Sequence, residues 1–319
     1  MWRLDHGSPT LSFHASPQGA LNELMLSLQD RGVIHIDDAS VVGLDHHAAP
    51  VEPPEHPLLM GPRWRGSPSM AAVAEALLAD GGPDVDACFG ERVGVLMRED
   101  GHWHLPGDVR ARRLVLSGTL LAHPRSLSML GWRDVPLRSA VPEGVDPELD
   151  AALISIAALN ASVRWNLMLE LPEVADTLLP RQIWLTSRAQ ERFGVERVVL
   201  HRQVDGRLGL VIHGLDDGAE ITPETQPQLL RKHEHRLLTV LPELLGSWPA
   251  LMSALTRAQS RGVMRWGAAQ PLDEGLPAAL QWCSRSQIGF CGDWISGDGF
   301  GCAEGAFRSA LNLAERICS

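Results

Sequence analysis

The residues best placed to do chemistry close the chain, where Ile288 to Cys318 reads IGFCGDWISGDGFGCAEGAFRSALNLAERIC. Ile288 to Cys291 has the make-up of a short buried strand, and Gly292-Asp293 puts an acid at its carboxyl end. Gly297, Gly299 and Gly301 follow in a turn. A helix then opens at Cys302 or Ala303, with Ala306, Phe307, Ala310, Leu311, Leu313 and Ala314 as its apolar side. Ligands of open α/β sheets sit at strand carboxyl ends. N–H groups at a helix start favour electron-rich oxygens, and glycines admit a ligand to the backbone. The chemistry of the segment is therefore ligand binding. The plainer alternative is a glycine-rich connection ahead of an ordinary amphipathic helix.

Other constellations carry less. His233-Glu234-His235 falls inside a helix, where residues two apart diverge, so a solvated helix face is expected. His102-Trp103-His104 falls on a strand, where alternate residues share a face and could bind a metal; with no Cys beside them, a metal site is not the favoured reading. His46-His47 lies in a proline-rich loop. Cys302 at a helix start would have a lowered thiol pKa, but no Cys-plus-His or G-x-S-x-G pattern accompanies it. With ten Trp and no Tyr, no phenol can act as acid or base, and no catalytic pair stands out.

The elements that must hold these residues follow from periodicity. Ser16-Pro17 predicts a helix start, with Leu21, Leu24, Met25 and Leu28 on one face and Gly32 ending it. Val33 to Ile36 reads as a strand, and the prolines of 45–69 read as a surface excursion. A helix over 69–79 precedes strands at Val85 to Phe89, Arg92 to Arg98, His102 to Leu105 and Arg113 to Ser117, with Asp100-Gly101 as a turn. Gln182 to Ser187, Glu196 to Gln203 and Arg207 to His213 read as strands, the last two a hairpin through Asp205-Gly206. Thr222-Pro223-Glu224 caps a helix with Leu229, Leu230, Leu237, Leu238 and Leu241 inward.

The closing segment resembles the final FAD motif of the amine-oxidase superfamily, most closely its renalase-like branch, in the order G-D-W, G, E-G-A and S. The resemblance implies FAD as cofactor, with Gly292 in the turn, Asp293 on the ribityl hydroxyls, and the N–H groups of Ala303 and Glu304 at the flavin pyrimidine edge. Ser296 to Gly301 is slightly longer than the family's turn, and Ser309-Ala310 stands for the usual S-G, which would tighten a helix contact. Weaker likenesses cover most of the chain. Pro223 to Leu245 with Met264 to Ala269 is similar to that branch's helix and R-W-x-x-A signature, and Asp5-His6-Gly7 to its D-x-G. Gly66 to Met70, then Phe89 to Val93, is similar to the helix and strand on the adenine side, which implies Val93 as a cofactor contact. Trp266 is singled out as a wall of the substrate cavity, with Arg265 pointing away to pair with an acid.

The implied fold is α/β: an incomplete FAD-binding Rossmann-like, three-layer domain with an inserted α+β substrate domain carrying an antiparallel sheet. Residues 63–122 and 284–319 would form the remaining FAD domain, and 8–62 with 123–283 the substrate domain. The implied reaction is hydride transfer from a reduced small molecule, dihydro-nicotinamide-like or an amine, to the flavin, with dioxygen as acceptor. No G-x-G-x-x-G precedes Gly292. The chain is expected to start where the family's second segment would, through a mis-called start codon or through loss of the pyrophosphate cradle, the first being preferred. The rival reading is a flavin-free relative acting as a binding or interaction protein.

Composition bounds these readings. A chain of 319 residues suggests two domains at about 150 residues each. Its 45% hydrophobic residues can bury a core. Acidic residues exceed basic ones by 39 to 28, which disfavours a phosphate-backbone partner, so a small-molecule substrate and no nucleic acid is the expectation. The longest apolar run, Ala151 to Leu159, is too short to span a bilayer, and Met1 to Pro9 has no apolar leader core. Five scattered Cys without C-x-x-C suggest reduced thiols in a cytoplasmic protein without a zinc site. Oligomeric state is left open.

Overall fold

The computed structural model describes residues 4–174, 179–203 and 205–318; residues 1–3 of the opening read for a leader lie outside it. Two units emerge, Met1–Asp80 with Ser162–Ala269, and Gly81–Ala161 with Gln270–Ser319. Residues 63–80 thus fall in the first unit with 8–62, because the strand Arg63–Gly66 pairs with strands of that unit. Residues 123–161 and 270–283 fall in the second, with 284–318.

The first unit opens with β1 (Leu11–Ser12), α1 (Gly19–Asp30), β2 (Ile34–Ile36), β3 (Val41–Leu44), β4 (Pro50–Val51), β5 (Arg63–Gly66) and α2 (Ala71–Asp80). α1 starts later than Ser16-Pro17 predicts, from Gln18, and buries Leu21, Met25 and Leu28. The stretch 45–69 is not all excursion. It holds β4, at the edge of a sheet where a proline costs no ladder bond, and β5, paired antiparallel with β1 and β2.

The second unit begins with an irregular stretch, then β6 (Met97–Glu99), β7 (His102–Leu105), β8 (Val109–Ala111), β9 (Leu114–Leu116), α3 (Leu127–Leu130), α4 (Pro136–Ala140) and α5 (Pro147–Ala157). The meander β6–β7–β8 turns at Asp100 (φ 49°) and Gly101 (φ 75°), as the sequence predicts. Val85 to Phe89 forms no strand, and Arg92 to Arg98 contracts to β6. Val85, Phe89 and Val95 are exposed, so their apolar character reflects no sheet pairing.

The chain continues with β10 (Asn160–Leu171), β11 (Gln182–Leu185), α6 (Ser187–Phe193), β12 (Val195–Arg202), β13 (Leu208–Leu215), α7 (Gln226–Leu244), α8 (Pro249–Leu255) and β14 (Gln259–Leu272). These strands build the large sheet of the first unit, in the order β14-β10-β13-β12-β11-β3-β4. Its pairs are antiparallel from β10 to β11, and β11 runs parallel to β3. Strand alternation sorts the side chains. Leu167, Leu169, Leu210, Ile212, Val198 and Ile183 face one way, onto Phe193 of α6, Leu237 and Leu241 of α7, and Leu251 of α8. The opposite face carries Asn166, His213, Arg197 and Trp184.

The second unit closes with β15 (Trp282–Cys283), β16 (Ile288–Phe290) and α9 (Ala303–Cys318), the strands ordered β15-β16-β9. Trp103, Leu116, Leu149, Ile156, Ile288 and Phe290 share its core. Both units are mixtures of helix and sheet, so the chain is an α/β protein. Among the described residues no helix is long and apolar enough to cross a membrane.

Candidate functional site

The five residues expected at a cofactor, Val93, Gly292, Asp293, Ala303 and Glu304, all lie in the second unit, and Trp266 lies in the first. β16 runs parallel to β9, pairing Ile288 with Leu114 and Phe290 with Leu116, and Cys291 N extends the ladder to Leu116 O at 3.0 Å. Parallel strands need both faces covered, which is why β16 reads as an unbroken apolar run. Gly292 then takes φ 140°, and a Cβ there would stand 2.4 Å from Trp294 Nε1. Only glycine can make this corner.

Helix α9 is fastened to the corner by Ser309. Its hydroxyl accepts from Gly292 N at 2.9 Å, and it lies 3.0 Å from Gly292 O and 2.9 Å from Ala306 O. The glycine turn folds back on the helix start: Gly301 N donates to Asp293 O at 2.8 Å and Gly305 N to Gly299 O at 3.1 Å. A Cβ on Gly305 would lie 2.4 Å from Gly299 O. The buried stripe of α9 is Gly305, Ser309 and Leu313, at a spacing of four. Ala310 and Ala314, expected inward, are exposed, because small and polar residues rather than apolar ones let this helix approach the strand. Ser309, not Ala310, makes the close helix contact.

Asp293 is half-buried at this corner. Burial raises its carboxyl above the usual carboxylate range, opposed only by its own backbone N–H. No cation and no other donor among the described residues reaches it. The Ala303 N–H, at the start of α9, takes no acceptor among the described residues. Glu304 is buried, and its carboxylate binds Arg308 at 2.8 Å one turn on, so its side chain serves the helix. Val93 sits in the irregular segment before β6, half-buried against the core. The corner therefore offers an unneutralised acceptor and a free backbone donor.

Cys302 corrects the expectation of an activated thiol. It is buried, and burial, Glu304 and Asp293 push its pKa up to about 11. Burial and two carboxylates outweigh the helix start. His233 is a second correction, since it is fully buried rather than on a solvated face. His102 and His104 alternate on β7, with Arg110 Nη2 3.0 Å and Asp100 O 2.9 Å from His102 Nδ1. Among the described residues no group of three His, Cys, Asp or Glu is placed to hold a metal.

In the first unit, Trp266 and Arg265 point to opposite faces of β14, as strand geometry requires. Arg265 lies over Trp165, Cζ 5.5 Å from the ring centroid, where an acid was expected. Trp266 packs on His6 with ring centroids 5.6 Å apart, and its Nε1 is enclosed without an acceptor. Asn166 Nδ2 donates to His6 O at 2.6 Å, so His6 joins Trp266 to the polar face of the sheet. The residues that sequence reasoning missed are on that face: Asn166, Arg197 and His213. Their signal is a polar residue set in an otherwise apolar strand, clearest for His213 in Leu208–Leu215.

No family model matches the chain, and no curated protein matches it. Solved structures do. The chain is similar to a triple mutant of putrescine oxidase from a redesign of cofactor binding, with a TM-score of 0.44 and 16% identity over 80% of this chain and 54% of that one. It is similar to the CLA-producing fatty acid isomerase of P. acnes, with a TM-score of 0.44 and 15% identity over 80% and 53%. Tetracycline destructase Tet(51) is similar at a TM-score of 0.47 and 9% identity over 98% and 74%. The chain spans about half the length of the first two.

Proposed function

We propose that the protein is an FAD-dependent oxidoreductase that removes a hydride from a reduced small molecule, dihydro-nicotinamide-like or an amine. The observation that carries the reading is Asp293, a desolvated carboxylate without a cation at the carboxyl end of a parallel strand. Such a group fits hydroxyl donors, and the ribityl chain of FAD supplies them. Ala303 N–H fits a carbonyl oxygen of the flavin pyrimidine. FAD, when bound, supplies two-electron acceptance, with dioxygen as the terminal acceptor.

The protein's own part is to hold and orient. Asp293 accepts from the hydroxyls, Ala303 and Glu304 present the opening N–H groups of α9, and Gly292 with Ser309 keeps that helix start fixed to the strand. Val93 is proposed as a further apolar contact of the cofactor. Trp266 is proposed as an apolar substrate contact in the first unit, which would serve as the substrate domain. Anaerobic rapid mixing of the flavin-loaded protein with dihydro-nicotinamides and with amines tests the reading. Bleaching of the flavin absorbance by one class is expected, and no bleaching by either would sink it.

One observation favours the rival reading of a flavin-free binding protein. Gly299 and Gly305 pack against each other, so the turn accounts for these two glycines without a ligand. Titration with FAD separates the two readings, because the rival predicts no uptake.

A further inference from the structure

One row of side chains crosses four strands of the large sheet. Asn166 faces His213, His213 faces Arg197, and Arg197 faces Trp184. Opposed side chains in such a row stand about 4.5–5.5 Å apart at Cβ, so the four form one strip. All four are buried. Arg197 lies on the Trp184 ring, Cζ 4.7 Å from its centroid.

Charge along the strip does not balance. Two guanidiniums, Arg164 and Arg197, share the single carboxylate of Glu196. Arg164 bonds it at 2.5 Å, whereas Arg197 comes no nearer than 3.9 Å. The other titratable groups facing Arg197 are neutral histidines. Burial and the two arginines hold His213 far below the ordinary imidazole range. His56, against Trp184 at 4.5 Å, accepts Leu58 N at Nδ1, and burial lowers its pKa too. Arg197 Nε is sealed without an acceptor, and its terminal nitrogens, which are not sealed, take none among the described residues. A buried cation without its own counter-ion is costly unless something else supplies the anion.

We propose that Arg197 anchors the anionic group, carboxylate or phosphate, of a small molecule that binds along this strip. The planar fork of a guanidinium matches either group with two parallel hydrogen bonds. Trp184 fixes the plane of that fork, and Arg164, committed to Glu196 and to Val163 O, adds charge without competing. Asn166 Oδ1 and His213 Nε2, both enclosed and unpartnered, extend the strip with neutral hydrogen-bonding atoms. The site goes beyond the flavin reading and does not depend on it, since every residue named here lies in the first unit.

Isothermal titration of the full chain with sodium pyrophosphate and, separately, with sodium succinate tests the proposal, at an ionic strength held constant with sodium chloride. Saturable binding of at least one anion at millimolar or tighter affinity is expected. The anion that binds more tightly tells phosphate from carboxylate chemistry. Arg197→Met should weaken that binding about ten- to hundredfold. Should Arg197→Met fail to fold, Arg197→Lys, which keeps the charge and loses the fork, decides by a weakened affinity. Parent protein that binds neither anion, or Arg197 variants that bind as tightly as the parent, would overturn the assignment.

Discussion

His233 lies flat on Trp165, with ring centroids 3.9 Å apart and ring planes 8° from parallel. Arg236 Nη2 lies 3.2 Å from Nδ1, and since arginine only donates, that nitrogen carries a lone pair. Nε2 lies 3.4 Å from Asp217 Oδ1, and Trp165 Nε1 donates to Asp216 Oδ1 at 2.7 Å. These contacts key α7 to β10. His233→Ala should lower stability by about 1–3 kcal/mol, combining a lost ring pair with the loss of the His233 contact of Arg236, which keeps its bonds to Gly194 O and Leu215 O. Equilibrium urea unfolding checks it, and an unchanged midpoint would make the ring mere filler.

Acid should unfold the protein through its histidines. Burial is the largest cause lowering the pKa of His56, His123, His201, His213 and His233, with His201 brought to about 3. A histidine with a lowered folded pKa binds fewer protons folded than unfolded, so stability rises with pH. The contribution is full above about pH 6.5 and is lost as pH falls through the folded values. Denaturation midpoints should therefore fall from neutral pH toward about pH 4, and His201→Gln should flatten the slope. A midpoint independent of pH over that span would contradict the buried neutral rings.

Ser309→Ala should loosen α9, because it leaves the Gly292 N–H buried and unpaired at about 1–3 kcal/mol. Gly305→Ala should cost about as much by overpacking against Gly299 O. Thermal melts of both variants check the corner. A Gly305→Ala protein as stable as the parent would show that the turn can yield.

If Trp266 is a substrate contact, Trp266→Ala should slow flavin reduction more than it lowers flavin content. If it is only a core residue, the variant should instead lose about 3–5 kcal/mol of stability with reduction unchanged. Reduction kinetics beside a melt distinguish the two.

The closing strand, turn and helix are legible in the sequence because each has a local signal: an apolar run, clustered glycines and an open helical pattern. The inward stripe of α9 is not, since Gly305 and Ser309 face the strand for their small size and hydroxyl, which hydrophobicity does not register. His233 is misread for a similar reason. A polar residue on a helix reads as solvated, and only the facing Trp165, 68 positions away, buries it. The strip of Asn166, His213, Arg197 and Trp184 depends on three strand registers at once, and no single segment carries that information. Val85 to Phe89 alternates like a strand but finds no partner among the described residues.

Asp293 and the start of α9 are proposed to hold a flavin. Flavin retained after exhaustive dialysis, measured by absorbance on release from the denatured protein, tests it most directly in the parent and in Asp293→Ala. Loss of the acceptor should weaken retention by about 1.5–3 kcal/mol, which is a ten- to hundredfold change in affinity, while the melting temperature of the flavin-free protein holds or rises because a desolvated carboxylate is gone. Equal retention in Asp293→Ala, or a parent protein that takes up no flavin at all, would contradict the account.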